Sequence, residues 1–259
     1  MEELEGRTAV VTGAGEGIGR AVARALVAEG ANVLVAEIDE QLGHDAAAEL
    51  GDACEFLATD VGDRAAVEAM VAHAAGRWGS VDILVNNAWG GGEISRVERK
   101  TEAGMSRALA VGFYGPFWAM SAALPVMRAN GWGRIINMCS LNGVNAHMGT
   151  VEYNSAKEAL RAATRTAARE WAGWGITANI VCPAAKSASF HRVMGAHPEL
   201  LAAADAANPM GRIGDPDLDI APVVVFLASE ASRYVTGNTL FVDGGGHING
   251  SAWKPDLGD

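Results

Sequence analysis

The sequence contains few cysteines: Cys54, Cys139 and Cys182 are the three in 259 residues. They are odd in number, far apart and mostly in apolar surroundings, which is not the pattern of a disulfide framework. We interpret them as reduced core thiols of a cytoplasmic protein. The histidines show no carboxylate or cysteine spacing typical of a metal site, so no metal is expected.

Basic residues are also scarce, with 20 lysines and arginines against 31 aspartates and glutamates and a net charge of −11. This balance disfavours binding to nucleic acid or to an anionic membrane surface. No apolar run approaches the roughly 20 residues that cross a bilayer. The acidic start, M-E-E-L-E-G-R, lacks the apolar core of a secretory signal. We therefore expect a cytoplasmic protein with no membrane and no nucleic-acid partner.

Pro/Ser-rich linkers, internal repeats and abrupt changes in composition are lacking, which favours one domain over residues 1–259. Short β-branched or apolar runs alternate with longer helical patterns, as in a parallel sheet that helices cover on both faces. We predict a single-domain α/β Rossmann fold with a doubly wound, mostly parallel, seven-stranded sheet. The predicted strands are residues 8–11, 33–36, 56–58, 83–85, 135–139, 178–181 and 239–242, and the predicted helices are residues 20–29, 64–78, 105–127, 152–171 and 222–228.

The first predicted strand runs directly into T-G-A-G-E-G-I-G, and a helical pattern follows. Gly13, Gly17 and Gly19 allow the backbone to approach a pyrophosphate, whose charge the helix N-terminus stabilises. The spacing differs from G-x-G-x-x-G because Ile18 takes the place of the last glycine. A strand before the turn and a helix after it favour a dinucleotide site over a bare tight turn. The candidate cofactor-binding residues of this turn are Gly13, Gly15, Glu16, Gly17, Ile18 and Gly19.

Glu37 follows the second predicted strand, 18 residues after Gly19, where a carboxylate accepts hydrogen bonds from the adenosine ribose. A 2′-phosphate there would meet Glu37 and Glu16, and neither position offers an arginine or lysine. A lone glutamate at a strand end is commonly just an exposed acid. Two acids at these two places favour NAD over NADP as the cofactor.

Tyr153 and Lys157 are four residues apart in a helix-favouring segment, so they are expected one turn apart on the same face. An ammonium beside a phenol favours the phenolate, so we expect the Tyr153 pKa to fall towards the working pH. Tyr153 would then act as a general acid or base on a substrate oxygen, which Ser140 would hydrogen-bond from the other side. A tyrosine and a lysine at this spacing also occur on ordinary half-exposed helix faces, so the pair alone does not establish a catalytic site.

Several motifs occur in one order along the chain: T-G-A-G-E-G-I-G, Asp60-Val61, N-N-A, Ser140, Y-N-S-A-K and Y-V-T-G-N-T-L-F-V-D-G-G. Together they resemble a classical short-chain dehydrogenase/reductase over nearly the whole chain, with the family's usual 13-residue step from Ser140 to Tyr153. The resemblance implies that Tyr153 gives or takes the proton, that Lys157 lowers its pKa and binds the nicotinamide ribose, and that Ser140 holds the substrate oxygen. It also implies reversible hydride transfer between nicotinamide and a secondary alcohol or ketone.

The resemblance implies further cofactor contacts and an assembly. Asp60 and Val61 would lie at the adenine, and Asn86 and Ala88 at the ribose side. Pro183 ends a predicted strand on the same rim of the sheet, where ligands of such sheets bind. A homotetramer is expected, in which the helices around 105–127 and 152–171 pair across one axis and the last strand pairs across another.

The chain departs from the family pattern at several positions. Gly112 stands where the family has an asparagine that holds a water beside the lysine, and we expect a second water in the vacated space. Trp89 and Ala184 occupy positions that are glycine in the family. These departures keep a second hypothesis open, an NAD-binding sensor or scaffold with weakened catalysis. The intact serine, tyrosine and lysine favour the enzyme.

Residues 184–215 correspond to the family's substrate lid and are predicted to be irregular and mainly apolar. That composition favours a bulky, mostly hydrophobic substrate. His147 fits two interpretations: a hydrogen bond to the substrate, or a position in a solvent-exposed loop. The tail, residues 247–259, carries Trp253, which either docks on a partner subunit or belongs to a frayed terminus. The candidate substrate-pocket residues are Trp89, Asn142, His147 and Phe190.

Overall fold

A computed structural model describes residues 3–90, 92–186 and 198–248, and within these residues seven strands form one sheet. The strands are β1 (Thr8–Thr12), β2 (Asn32–Glu37), β3 (Cys54–Ala58), β4 (Ile83–Asn86), β5 (Gly133–Met138), β6 (Ile176–Pro183) and β7 (Thr239–Val242). Their order is β3-β2-β1-β4-β5-β6-β7, and every neighbouring pair is parallel. The order reverses between β1 and β4, which is the switch point of a doubly wound fold. The predicted Rossmann fold is confirmed.

Helices cover both faces of this sheet. They are α1 (Gly17–Ala28), α2 (Glu40–Leu50), α3 (Arg64–Trp78), α4 (Glu102–Leu109), α5 (Gly115–Asn130), α6 (Leu141–Val144), α7 (Val151–Trp171), α8 (Pro198–Ala207) and α9 (Ala221–Ala228). Side chains alternate along a strand, so neighbours in β1 enter different cores. Val10 packs in the layer of Met70 and Leu160, whereas Val11 packs in the layer of Leu26. A strand that is buried on both faces is a nearly continuous apolar run, and such a run is easily recognised as a strand in the sequence.

Three helices were missing from the sequence prediction: α2, the four-residue α6 and α8. Helix α2 begins after Asp39, whose carboxylate accepts from the Leu42 N–H at 3.0 Å, and its glycine Gly43 packs against the Phe56 ring. That mid-helix glycine weakens the helical pattern but is needed for close packing. Helix α8 lies inside residues 184–215, so the prediction of an irregular segment is wrong for Pro198–Ala207. Its alanines and leucines, after a proline at the first position, favour a helix.

The helix predicted at 105–127 is two α-helices joined by one π-helical turn, Ala110–Tyr114. Gly112 is the middle residue of this turn. Such turns inside helices are frequent at functional sites. The π turn sets the direction from which Gly112 faces α7, and this contact becomes important in the active site.

The run Glu102–Asn130 contains an 18-residue window with a mean hydropathy of 1.3, and by length and composition alone it passes as a candidate membrane span. In this fold its buried side, which includes Ala119, Met120 and Met127, packs with α3 and with the sheet. The buried apolar side chains of this run therefore form part of the hydrophobic core of the domain.

The structure describes only the start of the predicted C-terminal tail. The Asp243 carboxylate accepts from the N–H groups of Gly245 at 3.0 Å and His247 at 2.8 Å, and Gly246–Ile248 form a short 3-10 turn. Trp253 lies outside the described residues, so its docking stays a prediction.

Candidate active site

The carboxyl ends of the strands open onto a cleft of about 620 Å³. It lies at the switch point between β1 and β4, where doubly wound sheets bind ligands. Most residues predicted for the cofactor and the reaction line it. These are Gly13, Glu16, Gly17, Ile18, Glu37, Asp60, Val61, Ala88, Trp89, Tyr153, Lys157 and Pro183. The lining also includes residues that the sequence analysis did not assign to the site, namely Ala36, Ile38, Thr59, Asn87, Gly90, Gly92, Val111, Met138, Cys139 and Ala185.

The glycine turn presents bare backbone to the cleft. Gly13 has a φ of +63°, and a β-carbon there would lie 2.8 Å from the Cα of Ala88. A β-carbon at Gly19 would overlap the Gly13 carbonyl oxygen, so Gly19 serves the packing of the turn. The Asn87 amide donates to the carbonyls of Thr12 and Gly13, each at 3.0 Å. The turn is thereby held open at the N-terminus of α1, which favours a phosphate group.

The Glu37 carboxylate, at the end of β2, is oriented by backbone N–H groups. Oε2 accepts from Gly15 at 3.1 Å, and Oε1 accepts from the next two residues at 2.8 and 3.2 Å. A β-carbon at Gly15 would lie 2.9 Å from Glu37 Cγ, so the glycine permits this approach. The nearby cation Arg20 is paired with Glu49 instead. Within the described residues Glu37 has no ion-pair partner, and its negative charge faces the cleft.

Asp60 is a second fixed carboxylate of the cleft. Its Oδ1 accepts from the Gly62 N–H at 2.8 Å, and both oxygens accept from the Arg107 guanidinium at 3.2 Å. Burial raises the pKa of Asp60, but Arg107 and Gly62 lower it more, so the pKa lies below its usual value. The adjacent Val61 is buried, and its carbonyl packs against Gly115 of α5. Both residues are therefore held at the cleft wall, as predicted for a cofactor contact.

The structure does not bring Asn86 into the cleft. Asn86 is 3% exposed, and its amide donates to Asn137 Oδ1 at 2.7 Å, while the Asn137 amide donates to Thr164 Oγ1 at 2.7 Å. Because side chains alternate along β4, position 86 faces the core and position 87 faces the cleft. Asn87 takes the place assigned to Asn86. The sequence alone could not choose between the two asparagines, because β4 is buried on both faces.

The three side chains predicted for chemistry meet at the end of β5. The Ser140 Oγ accepts from the Asn142 N–H at 3.1 Å, and the Ser140 hydroxyl is near enough to Tyr153 to lower the pKa of its phenol. Lys157 is 3% exposed, and its Nζ donates to the Met138 carbonyl at 2.7 Å. Helix α7 places Tyr153 and Lys157 one turn apart, and both line the cleft. The structure thus assembles the predicted group.

The electrostatics of this group differ from the expectation. Burial raises the pKa of Tyr153 to about 12, and the hydrogen bond with Ser140 opposes this only in part. Lys157 does not reverse the shift because its ammonium bonds a carbonyl and lies 5.8 Å from the Tyr153 ring centroid. Burial in turn lowers the pKa of Lys157. Tyr153 is therefore held as a neutral phenol, which is the form of a proton donor.

Trp89 and Gly112, two positions at which the chain departs from the family pattern, are in contact. A β-carbon at Gly112 would lie 2.7 Å from Cζ3 of Trp89 and 2.9 Å from Cβ of Ala156. The expectation of a second water beside Gly112 is wrong, because the Trp89 indole fills that space. The indole also packs edge-to-face on Tyr153, with ring centroids 4.6 Å apart, and its centroid lies 5.6 Å from the Lys157 Nζ.

The remaining substrate-pocket predictions have different outcomes. His147 is exposed, and its Nδ1 lies 3.3 Å from Thr150 Oγ1, outside the cleft lining. Asn142 is half-buried and contacts Ser140 through its N–H, but it does not line the cleft. Phe190 lies outside the described residues. Trp89 is the member of this predicted set that the structure places in the cleft.

The residues of the cleft fit a dinucleotide. They offer an open glycine turn at a helix N-terminus, an acceptor carboxylate at the end of β2, and a buried lysine beside a tyrosine. Glycine is sterically required at position 13, which leaves the backbone free to approach a diphosphate. In the described ranges, no group of three or more His, Cys, Asp or Glu side chains is arranged to hold a metal ion.

Comparisons with known proteins agree with this site. The family model described as enoyl-(acyl carrier protein) reductase matches residues 13–247. The galactitol 2-dehydrogenase (L-tagatose-forming) of Cereibacter sphaeroides is 38% identical over 245 residues, which are 93% of this chain and 95% of that protein. A 12alpha-hydroxysteroid dehydrogenase from a Clostridium species is 34% identical over 255 residues, 95% of this chain and 98% of that protein.

Solved structures show the same architecture. The crystal structure of levodione reductase superposes with a TM-score of 0.89 at 29% identity, and the match covers 95% of this chain and 99% of that one. The sequence matches, the parallel sheet and the ordered motifs span nearly the whole chain. This protein therefore belongs to the classical short-chain dehydrogenase/reductase family of oxidoreductases.

Proposed function

We propose that this chain is an NAD(H)-dependent oxidoreductase that interconverts a secondary alcohol and a ketone on a bulky, mainly apolar substrate. The observation that carries the proposal is the single cleft shared by the Glu37 carboxylate and by the Tyr153–Lys157 pair. The first group selects the cofactor, and the second supplies the proton chemistry.

Ser140 and Tyr153 form the polar end of the site. Their hydroxyls lie within reach of each other, so a substrate oxygen placed between them can accept from both once it replaces that mutual contact. Tyr153 gives its proton to this oxygen during reduction and takes it back during oxidation. When bound, nicotinamide supplies or accepts the hydride. Lys157 uses one donor on the Met138 carbonyl and has two more with which to hold the nicotinamide ribose.

The preference for NAD rests on the orientation of Glu37. Three backbone N–H groups hold its carboxylate, so it cannot turn away from a ligand without losing those bonds. A ribose 2′-hydroxyl donates to this acceptor, whereas a 2′-phosphate would place like charges together. Arg20 pairs with Glu49 and is engaged elsewhere.

The substrate class is supported by the apolar residues near Tyr153. Trp89 packs on Tyr153, and Val111, Met138, Pro183 and Ala185 are further apolar residues of the cleft lining. An apolar wall stabilises a bulky hydrophobic group next to the reacting oxygen. One relative acts on a hydroxysteroid and another on galactitol. A test therefore has to compare hydroxysteroids with polyols.

We also propose a cytoplasmic homotetramer. Tyr114 and Phe117 on the π turn and α5 are 46% and 45% exposed, and large apolar side chains at a surface favour burial by a second copy. Trp118 and Trp171 pack in the protein's own core and do not contribute to this argument. Light scattering at micromolar concentration is expected to give four times the mass of one chain, and a monomer mass would refute the assembly.

The function is tested with purified protein, NAD or NADP, and a panel of hydroxysteroids, terpenoid and aromatic secondary alcohols, and polyols. Reduction of NAD at 340 nm with an apolar alcohol is the expected result. Turnover with polyols alone would refute the substrate class. Tight binding of NAD with no turnover on the whole panel would favour the sensor or scaffold alternative.

A further inference from the structure

The loop that carries Trp89 is fastened to α7 next to the reacting tyrosine. Glu152 precedes Tyr153 and is 3% exposed, and its Oε1 accepts from Lys100 Nζ at 2.5 Å and from the Glu93 N–H at 3.1 Å. The Lys100 side chain is 9% exposed, so this ion pair is buried. Removing one partner of such a pair leaves an uncompensated charge and is strongly unfavourable. These contacts anchor the loop that follows Trp89 to the start of α7.

The indole itself occupies space that only a glycine at position 112 leaves open. A β-carbon at Gly112 would lie 2.7 Å from Trp89 Cζ3 and 3.2 Å from Cε3. Real β-carbons do not approach another carbon to 2.7 Å, so any larger residue would displace the ring. The ring then could not keep both of its contacts, the edge-to-face packing on Tyr153 and the approach to the Lys157 ammonium.

We infer that Trp89 is a positioning residue for Tyr153 and Lys157. Gly112 leaves the space that the Trp89 indole occupies, so the effects of substitutions at the two positions are coupled. This inference rests on the proposed function for its catalytic part. The steric part stands on the described contacts alone.

The indole also keeps water from the pair it positions. Besides burial, the Ser140 hydroxyl lowers the Tyr153 pKa and the Cys139 and Cys182 thiols raise it, while the Lys157 ammonium lies 5.8 Å from the ring centroid. Burial is the main cause that raises the Tyr153 pKa, and the ring supplies part of that burial. Truncating Trp89 would hydrate the phenol, and better hydration of its charged form lowers the Tyr153 pKa. The group would then lose its proton at lower pH.

The pairing is tested by thermal unfolding of a double-mutant cycle, Gly112→Ala with Trp89→Ala, with Trp89→Leu as a second background should the alanine variant not fold. The drop in Tm caused by Gly112→Ala is expected to shrink by about 2 °C or more when Trp89 is truncated. Part of the drop remains because the Ala156 contact persists.

Gly133→Ala is the matched control, because a β-carbon there also meets a side-chain atom, Met127 Sδ, at 2.7 Å. It lies at the opposite end of β5, roughly 15 Å from Met138 along the strand. Its effect is expected to add to that of Trp89→Ala without coupling. If the Tm effect of Gly112→Ala adds to that of Trp89→Ala as fully as the effect of Gly133→Ala does, the pairing of Trp89 with Gly112 is overturned, whether or not the protein is active.

The positioning role is tested by kinetics at saturating NAD. Trp89→Ala is expected to lower kcat by about 10-fold and to move the acidic limb of the kcat/KM profile for alcohol oxidation to lower pH by about 0.5 units. Trp89→Phe, which keeps a ring edge, should restore most of both. An unchanged kcat and profile in Trp89→Ala would overturn the positioning role. Lack of turnover by the wild-type chain would overturn the proposed function and this role together, while the unfolding cycle still decides the pairing.

Discussion

Replacing Glu37 by glutamine tests how the cleft chooses its cofactor. The substitution keeps the size of the side chain but removes its charge, and it leaves one oxygen for three backbone donors. Hydrogen bonds to a charged acceptor contribute about 1.5–3 kcal/mol. We therefore expect kcat/KM for NAD to fall by roughly 10- to 100-fold.

The effect on NADP has the opposite sign. At about 5 Å and an effective dielectric constant near 20, two like unit charges repel by about 3 kcal/mol. Losing the Glu37 charge should then raise kcat/KM for NADP by roughly 100-fold. Adding Glu16→Arg in the glycine turn supplies a cation for the phosphate and should move the preference further.

The assay measures kcat/KM for both cofactors at a saturating alcohol, together with their Kd values. Glu40→Gln is the matched control, because Glu40 is an exposed acid three residues away at the start of α2. It is expected to change the NAD/NADP ratio by less than about threefold. A ratio that stays constant in Glu37→Gln, or a wild-type chain that uses both cofactors equally, would refute the reasoning.

Further predictions concern Tyr153 and the buried thiols. Tyr153→Phe should lower kcat by roughly 1,000-fold and leave the Kd for NAD nearly unchanged, and retention of most activity would refute the catalytic assignment. Burial raises the Tyr153 pKa from 10.0 to about 12, so the phenol contributes stability that is present below pH 10 and lost as pH rises towards 12. Urea unfolding across this window should show a smaller loss for Tyr153→Phe than for the wild type, and equal losses would contradict the shift. Burial also raises the pKa of Cys139 and Cys182 to about 12, so both should resist iodoacetamide in the native protein at pH 8, and modification within minutes would contradict their burial.

The sequence was most informative where a local pattern of apolar residues and glycines marks an element and its ends. Strands such as β1 and β7 are short apolar runs between glycine turns, and β7 begins and ends at the predicted residues. The helix 64–78 was also predicted at its observed bounds, because Asp63 caps its start and Gly79, with φ +82°, ends it. Glycine positions and the spacing of Ser140, Tyr153 and Lys157 are properties of the chain itself, so the fold and most of the cleft followed from them.

Local patterns were less informative where tertiary packing overrides them. Helix α2 contains Gly43, which propensity disfavours but which the Phe56 ring requires. Asn86 and Asn87 are equally polar neighbours, and only the position of β4 between two core layers decides which of them faces the cleft.

The sequence by itself determined that the chain is a short-chain dehydrogenase/reductase with its reactive group and cofactor turn on one rim. Only the tertiary structure decided that Trp89 and Gly112, 23 residues apart in the chain, share one volume beside Lys157. It also decided that Tyr153 remains a neutral phenol and that its lysine bonds a carbonyl. These outcomes depend on contacts between residues distant in sequence and on how far each group is removed from water, and neither is encoded in any single stretch of the chain.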